Sequence, residues 1–386
     1  FLATLWRFSM SKAAELAKMG EVVTNNQVGG RRNILINGAM NVAQRGTSST
    51  GLGASAGYFT LDRWKMDFNA TAGRLTMSQT ADGPSGFANC LKLDCATADT
   101  SIAAGEYIML EQRLEGQDVQ GICKGTADAK PVTVSFYVKA NGSFTFGLEL
   151  SDNDNTRQIT KLFSTTTSWV RHEITFPADT TGAFDDDNAR SLLATFWLHA
   201  GSTYSGGTLN SSSWASRTHA NRAAGISSFF SSTDNEFYIT GVQMEIGSTA
   251  TPFEHRSYAE ELTLCQRYYE VVFQGSTAGA DFSSYFPWVG LCQASKSDQI
   301  NYLYDFKVQK RAPGGTSINE TVSSGYEMYN FTTQKTGDTM GTNSNNMELR
   351  RGLWWLGGSQ SGITEQSGWA LRIKSTDCFL ALDSEL

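Results

Sequence analysis

The residues best equipped for chemistry in this sequence are aromatic rings set among short polar side chains. Tyr204 and Trp214 stand in a long polar stretch, residues 201–225, and Trp354 and Trp355 stand among Gly, Asn and Ser. Trp and Tyr stack on the C–H faces of sugars while nearby hydroxyls and amides read the sugar OH groups, so this pattern points to saccharide contact. Each ring also has a plainer use. Trp214 can pin its loop onto a sheet. Trp354 and Trp355, being adjacent, face opposite ways in an extended chain, which exposes one of them to solvent or to another subunit.

Catalysis has weaker support. The four histidines, His172, His199, His219 and His255, show no HxH or HExxH spacing, and His172 falls on an apolar strand face, the setting of a core histidine. Asp152-Asn153-Asp154-Asn155 begins like a calcium loop, but an EF-hand needs Gly where Arg157 stands. Asp185-Asp186-Asp187 is a second oxygen-rich cluster, able to hold a structural calcium or simply to form a solvated turn. No carboxylate pair is singled out for glycoside cleavage, and no GxSxG elbow, Walker loop or GxGxxG fingerprint occurs. The cysteines are scattered without a CxxC pair. Cys90 and Cys95, the nearest two, have the odd separation that places them on opposite faces of one strand. Buried thiols fit better than a disulfide framework or a zinc site. The expectation is a protein that is not an enzyme and needs no cofactor.

The elements that must position these residues are strands. The chain has 386 residues, with 40 Ser, 40 Thr and 37 Gly, 11% aromatic and 18% charged residues, a balance that suits a loop-rich β protein of two or three domains. Its net charge of −7 argues against nucleic acid as the main ligand, and no apolar run reaches the ~18–20 residues of a membrane span. From residue 31 the apolar period is two. Val132, Val134, Phe136 and Val138 share one face of a strand, as do Phe144, Phe146, Leu148 and Leu150, and Val170, His172, Ile174 and Phe176. Asn141-Gly142 between the first two runs predicts a tight hairpin. Phe237 and Ile239 give way to Val242, Met244 and Ile246, a phase break at Thr240-Gly241 that predicts a β-bulge. Ser257 and Glu260 form a capping box, followed by Tyr258, Leu262, Cys265 and Tyr269 at helical spacing.

The predicted organisation is all-β. Residues 1–30 form an N-terminal anchor helix and linker, or else a frayed terminus, with Ala13 to Met19 as the helix former. Met10 reads like a translation start, so residues 1–9 fit an extended reading frame or a longer precursor. Residues 31–256 form a jelly-roll β-sandwich, 257–270 a linking helix, and 271–386 a smaller, distal β domain with strands over 302–309 and 369–374. Asn343 to Asn346 and Gly357 to Gly362 are expected to be loops flanking the Trp pair.

A family resemblance sits on this frame. Residues Asn33 to Met40 (NILINGAM), Gln44-Arg45-Gly46 and Asp62-Arg63-Trp64 resemble the opening of a family of bacteriophage tail-fibre and related virion proteins. The similarity resumes at Thr208-Leu209-Asn210 with Trp214. It is densest from Phe237 to Gly247, and runs through Ala250 to Glu254, Arg256, Tyr258, Glu261-Leu262 and Cys265 to Tyr269. Lys310-Arg311-Ala312-Pro313 also suits such proteins. The resemblance covers roughly residues 31–313. It implies a module similar to carbohydrate-binding modules, carried on a virion appendage, and it supplies no catalytic residues.

The function this resemblance implies is that of a structural virion protein, a tail fibre contributing to attachment at host-surface glycans. A head-attached fibre or capsid decoration protein without a receptor role is the alternative, and a surface-polysaccharide depolymerase the third; the short regular repeats of a β-helix depolymerase are not seen. The implied partners are the chain itself as a homotrimer, other virion proteins through the N-terminus, and a host glycan or receptor, with no nucleic acid and no membrane insertion.

Overall fold

The structure is a computed structural model. It describes residues 31–274, 288–296, 299–312, 317–320, 326–329, 334–337, 339–347, 351–357, 368–373 and 379–386, with side chains for 31–272, 304–312 and 381–386. The expected N-terminal helix lies outside the described residues. The chain divides into two compact units, Phe1–Arg256 and Ser257–Leu386.

The first unit is a jelly-roll β-sandwich of thirteen strands: β1 Ser48–Leu52, β2 Gly57–Tyr58, β3 Lys65–Asn69, β4 Arg74–Thr80, β5 Cys90–Thr97, β6 Tyr107–Glu115, β7 Val132–Ala140, β8 Thr145–Asp152, β9 Arg157–Ser164, β10 Val170–Phe176, β11 Arg190–Ala200, β12 Ala215–Ser216 and β13 Glu236–Ile246. One sheet runs β1-β4-β5-β13-β7-β10 and the other β12-β9-β8-β11-β6-β3-β2. Alternation along the strands builds the core between them: Val134, Phe136 and Val138 from the first sheet meet Phe146, Leu148, Phe196 and Leu110 from the second. Phe136 packs edge-on against both Phe163 and Phe196 at 5.1 Å between centroids. His172 is half-buried against Phe136 and Phe163, with Nε2 2.8 Å from the Ser164 carbonyl. Cys90 and Cys95 are unbridged, and burial pushes the Cys95 thiol up to about 11.

The Asn141-Gly142 turn is not the hairpin its sequence predicts. β7 pairs with β10 and β13, and β8 pairs with β9 and β11, so the turn carries the chain from one sheet to the other. Long-range bonds hold it open: Asn141 Oδ1 accepts from Glu236 N at 3.0 Å, and Thr165 Oγ1 donates to the Gly142 carbonyl at 3.0 Å. With both edges of each strand already filled, a local hairpin has no ladder to form.

The expected bulge is present. The register of β13 against β7 shifts between Thr240 and Gln243, and Gly241 takes φ +62°. The segments that carry the family resemblance converge on it. Asn33 Nδ2 donates to Val242 O at 3.0 Å while its Oδ1 accepts from Leu35 N and Met244 N. Asn37, at φ 58°, donates through Nδ2 to Val42 O and Asp62 O, and its carbonyl receives Trp64 Nε1 at 3.0 Å. The Glu254 carboxylate accepts from the amides of Arg32 and Asn33, and the Arg256 guanidinium donates to the carbonyls of Asn33 and Leu35. These blocks close the sandwich; their side chains are spent on backbone groups.

The second unit opens with the helix Tyr258–Gln266, whose cap is the predicted one: Ser257 Oγ accepts from Glu260 N at 3.3 Å. The helix is shorter than expected. Tyr268 and Tyr269 are buried, and the chain re-enters a sheet as β14, Tyr269–Gln274. The later strands are β15 Trp288–Lys296, β16 Gln299–Asp305, β17 Ser317–Glu320, β18 Tyr326–Tyr329, β19 Gln334–Gly337, β20 Thr339–Met347, β21 Arg351–Gly357, β22 Gly368–Ile373 and β23 Phe379–Asp383. They form a three-stranded sheet, β14-β23-β17, and a seven-stranded one, β19-β18-β22-β15-β16-β21-β20. Asn343 to Asn346, expected as a loop, lie within β20, where the register against β21 breaks between Thr342 and Met347. Of the expected 357–362 loop, Gly357 ends β21 and 358–362 lie outside the described residues. Lys310, from the last block of the resemblance, is fully buried and donates to Glu270 Oε2 and the Gln266 carbonyl, both at 2.5 Å.

Candidate functional site

The outward face of the seven-stranded sheet in the first unit gathers polar and aromatic groups that a fold alone does not require. Strand register sets them in rows. One row reads Asp67, Met109, Trp197, Gly147, Leu162 across β3, β6, β11, β8 and β9. The next, two residues along, reads Lys65, Glu111, Thr195, Glu149, Thr160. A third reads Arg113, Leu193, Ser151, Gln158. Their neighbours in sequence, Leu110, Leu114, Phe196, Leu148 and Ile159, point into the core, so side-chain alternation commits every one of these groups to the outer face.

Half of this face is roofed by residues 201–226. Tyr204 packs on Trp197 at 5.5 Å and edge-on to Tyr107 at 5.2 Å, with Ala223 and Ile226 beside them. Arg222 spans Trp197 at 4.8 Å and forks onto Glu149, whose Oε2 also accepts from Trp197 Nε1 at 2.6 Å. Arg217 donates to Ser151 Oγ and the Asp152 carbonyl; burial and then the Arg222 charge pull its guanidinium below the ordinary value.

The other half lies beyond these contacts and is partly exposed: the Lys65, Asp67 and Arg113 side chains are exposed by 14, 18 and 13%, and Glu111 is buried. Arg113 holds Glu111 through Nε at 2.8 Å and reaches Asp67 at 3.5 Å, and Lys65 lies 3.6 Å from Asp67 and 3.9 Å from Glu111. Tyr107 OH donates to Asp67 Oδ1 at 3.5 Å; burial, with that carboxylate adjacent, pushes the phenol up to about 12. Beside Glu111, Thr195 Oγ1 is buried without a hydrogen-bond partner, as is Gln158 Nε2 under the roofed half. A strip of planar rings flanked by fixed donors and acceptors is what a sugar needs: a surface to stack on and an edge of groups that exchange hydrogen bonds with its hydroxyls.

The four aromatic residues singled out in sequence fall two in each unit, and the two of the first unit lie on opposite faces of one sheet. Tyr204 borders the partly exposed half of this face. Trp214 belongs to the other side of the sheet: it packs on the main core, its Nε1 donates to the Pro177 carbonyl at 2.9 Å, and the Lys124 ammonium lies 5.4 Å from its ring centre. Trp354 and Trp355 lie in β21, an interior strand, where Trp354 stands opposite Tyr302 and Thr342, and Trp355 opposite Asn301 and Gly341. Tyr107, Trp197, Lys65 and Arg113 were missed. Their signal was present, since Tyr107, Met109, Glu111 and Arg113 alternate along one strand, but alternation does not say which face of which sheet stays open.

The oxygen-rich loops surround a lysine. Lys124 is buried, and its Nζ sits 2.5 Å from Asp152 Oδ2, 3.2 Å from Asp179 Oδ2, 2.9 Å from the Thr181 carbonyl and 2.7 Å from the Gly182 carbonyl. Burial alone would raise Asp179, but bonds from Arg157 and the charge of Lys124 outweigh it and hold the carboxyl below its ordinary range. Asp187 caps its own turn through Ala189 N, and the Asp185 amide is taken by Asp154. Among the described residues no three His, Cys, Asp or Glu side chains converge as metal ligands. A recess of about 340 Å³ borders Lys124 between Gln120, Cys123, Asp128 and Phe184, and none of its walls belongs to the outward face.

The chain matches no family model and no curated protein. Among solved structures it is similar to a family 4 carbohydrate-binding module, at 12% identity and TM-score 0.28 over 54% of this chain and 97% of that one. It is similar to a family 22 xylan-binding domain of Paenibacillus barcinonensis Xyn10C, at 11% identity and TM-score 0.28 over 57% and 100%. It is also similar to the enzymatically active domain of tailspike protein 4 from bacteriophage CBA120, at 10% identity and TM-score 0.29 over 55% of this chain, which spans 21% of that one.

Proposed function

We propose that residues 31–256 are a glycan-binding module, that the chain belongs to a virion appendage of the tail-fibre kind, and that it binds without cleaving. The observation that carries the binding reading is the partly exposed half of the outward sheet face, where Tyr107 and Tyr204 flank Lys65, Asp67, Glu111 and Arg113 in fixed, ion-paired positions. The virion reading rests on the ordered blocks between Asn33 and Pro313, and a homotrimer suits such an appendage, since three modest sites act together. Against cleavage stands Glu149. It lies two strands from Glu111, about 9.5 Å between backbones, a separation near that of paired hydrolytic carboxylates. Yet Glu149 is fully buried, with both oxygens bonded to Arg222 and one also to Trp197, so no sugar reaches it.

The test is affinity electrophoresis of the purified chain through gels carrying a panel of surface polysaccharides. Retardation by at least one, weakened in Tyr204→Ala, with no reducing ends released, is the expected result. Unretarded migration through the whole panel, or retardation untouched by Tyr204→Ala, rejects the site. Sedimentation of the same sample at micromolar concentration checks the trimer, which a stable monomer excludes.

A further inference from the structure

Both ends of the roof are tied to one histidine. The roof leaves β11 after Ala200, and the chain returns at Ser227, whose amide donates to the Thr145 carbonyl at 2.6 Å. His199 stands just before the roof and Ser228 just after it, and His199 Nδ1 lies 2.7 Å from Ser228 Oγ. On the far side of the ring Nε2 faces Glu106 Oε2 at 3.6 Å, too long for a hydrogen bond, and among the described residues neither atom has another partner. The Glu106 carbonyl in turn accepts from the Gly201 amide, the first of the roof, at 2.8 Å, and the Ala104 carbonyl accepts from Thr203 N at 2.9 Å.

The ring is fully buried and packs 5.6 Å from Phe230. Among the described residues the charged groups that face it are Glu106, just before β6, and Asp99, whose amide donates to the Phe230 carbonyl at 2.9 Å. The Asp99 carboxylate already accepts from Thr71 Oγ1, Ala72 N and Ser101 N. With a carboxylate opposite Nε2, the neutral ring keeps its proton there and Nδ1 accepts from the Ser228 hydroxyl. A second proton, on Nδ1, reverses that bond and places a charge where water does not reach. Burial pulls the imidazole below its ordinary value, and Glu106 and Asp99 offset only part of the fall.

We propose that His199 is a pH-sensitive clasp on the roof: protonation of its ring releases the Ser228 end, loosens residues 201–226 and draws Tyr204 away from the saccharide face. The effect on binding rests on the glycan reading; the clasp itself does not. An open roof exposes the ring and binds more protons than a closed one, so closure is complete above the ordinary histidine value of about 6.5 and weakens as pH falls below it. From pH 7.5 to pH 5.5 that open-state value limits the change in the opening equilibrium to about tenfold.

Hydrogen exchange of the full chain at pH 7.5 and 5.5, with rates corrected for intrinsic chemistry, reads the roof without a ligand. In the parent, residues 201–226 should lose several-fold protection in acid while β7 and β13 hold theirs. His199→Gln should flatten that response. Glu106→Gln removes a charge that favours the imidazolium and should steepen it toward the tenfold limit; should one variant fold poorly, the other decides. His219, exposed and edge-on to Tyr204 at 5.6 Å, is the roof's own histidine, and His219→Gln should respond as the parent does. Equal protection at both pH values, or a response kept in His199→Gln and lost in His219→Gln, overturns the clasp. Affinity electrophoresis through the same polysaccharide panel at the two pH values separates the two readings. Weaker retardation at pH 5.5, absent from His199→Gln, is expected. A responsive roof with no retardation at either pH keeps the clasp and removes the glycan reading, and retardation with an unresponsive roof does the reverse. A responsive roof with equal retardation at both overturns the link to Tyr204.

Discussion

The Asn33 side-chain amide donates to the carbonyl of Val242 at 3.0 Å, across 209 positions of chain, and its oxygen takes the Met244 amide on the far side of the bulge. One residue thus satisfies backbone groups of β13 beyond Ile239, where its pairing with β5 has ended. Asn33→Ala removes three buried hydrogen bonds and strands those groups. It should cost about 2–4 kcal/mol, read as a lower urea midpoint at unchanged slope. A loss under about 0.5 kcal/mol would mean that water replaces the amide.

Gly241 is the other half of that device. Its φ of +62° disfavours any side chain, and an added Cβ would stand 2.7 Å from Phe87 Cζ and 2.9 Å from Tyr137 Cδ2. Gly241→Ala should destabilise by about 2 kcal/mol or more, from left-handed backbone and overpacking together. Thermal unfolding measures it, and a neutral substitution would show that the bulge can be rebuilt without glycine.

Lys124 fills the place a hard cation would take among four oxygens. Chelation should therefore leave the melting temperature of the parent protein unchanged. Lys124→Met leaves Asp152 and Asp179 buried without their ammonium and should cost about 3–5 kcal/mol. Scanning calorimetry with and without chelator decides; a melting point that drops on chelation of the parent would place a metal in these loops after all.

Asp179 gives that cluster a pH signature. Its folded pKa is depressed, so its contribution to stability is complete above the unfolded value of about 3.9 and is lost as pH falls through the lower folded value. Between about pH 5 and pH 3 the parent should lose stability that Asp179→Asn does not lose, the variant starting lower and titrating less. Parallel denaturation curves for the two proteins across that range would assign the acid limb elsewhere.

Tyr204 and Trp214 share a loop in sequence and should separate in function. Trp214→Ala exposes core and uncovers one side of Lys124, lowering stability by about 2 kcal/mol with saccharide affinity retained. Tyr204→Ala should lower affinity about tenfold with a smaller loss of stability. The reverse outcome, affinity lost in the Trp214 variant alone, would move the site to the loops around Lys124.

Strand periodicity made the sandwich legible, because a half-buried strand writes its inner face into every second residue, as Val134, Phe136 and Val138 do. Gly241 and Ser257 were legible for the same reason: a bulge and a helix cap each leave a local mark. The Asn141-Gly142 crossover was not, since turn chemistry is local while the choice of sheet depends on Glu236 and Thr165. The partly exposed face was illegible in the same way. Glu111 and Arg113 read as ordinary outward residues of a strand, and only the register of four strands shows that Lys65, Glu111, Thr195 and Glu149 form one row. The blocks that resemble virion proteins proved to be the closure of the fold, so they mark a module and say little about what it touches.

That closure also sets how the sandwich carries tension. The chain enters at Arg32 and Asn33 and leaves at Glu254 and Arg256, and these residues grip one another directly. Each end is thus held by the other before a pull on them reaches the strands, so the two ends leave the sandwich side by side and not from opposite poles.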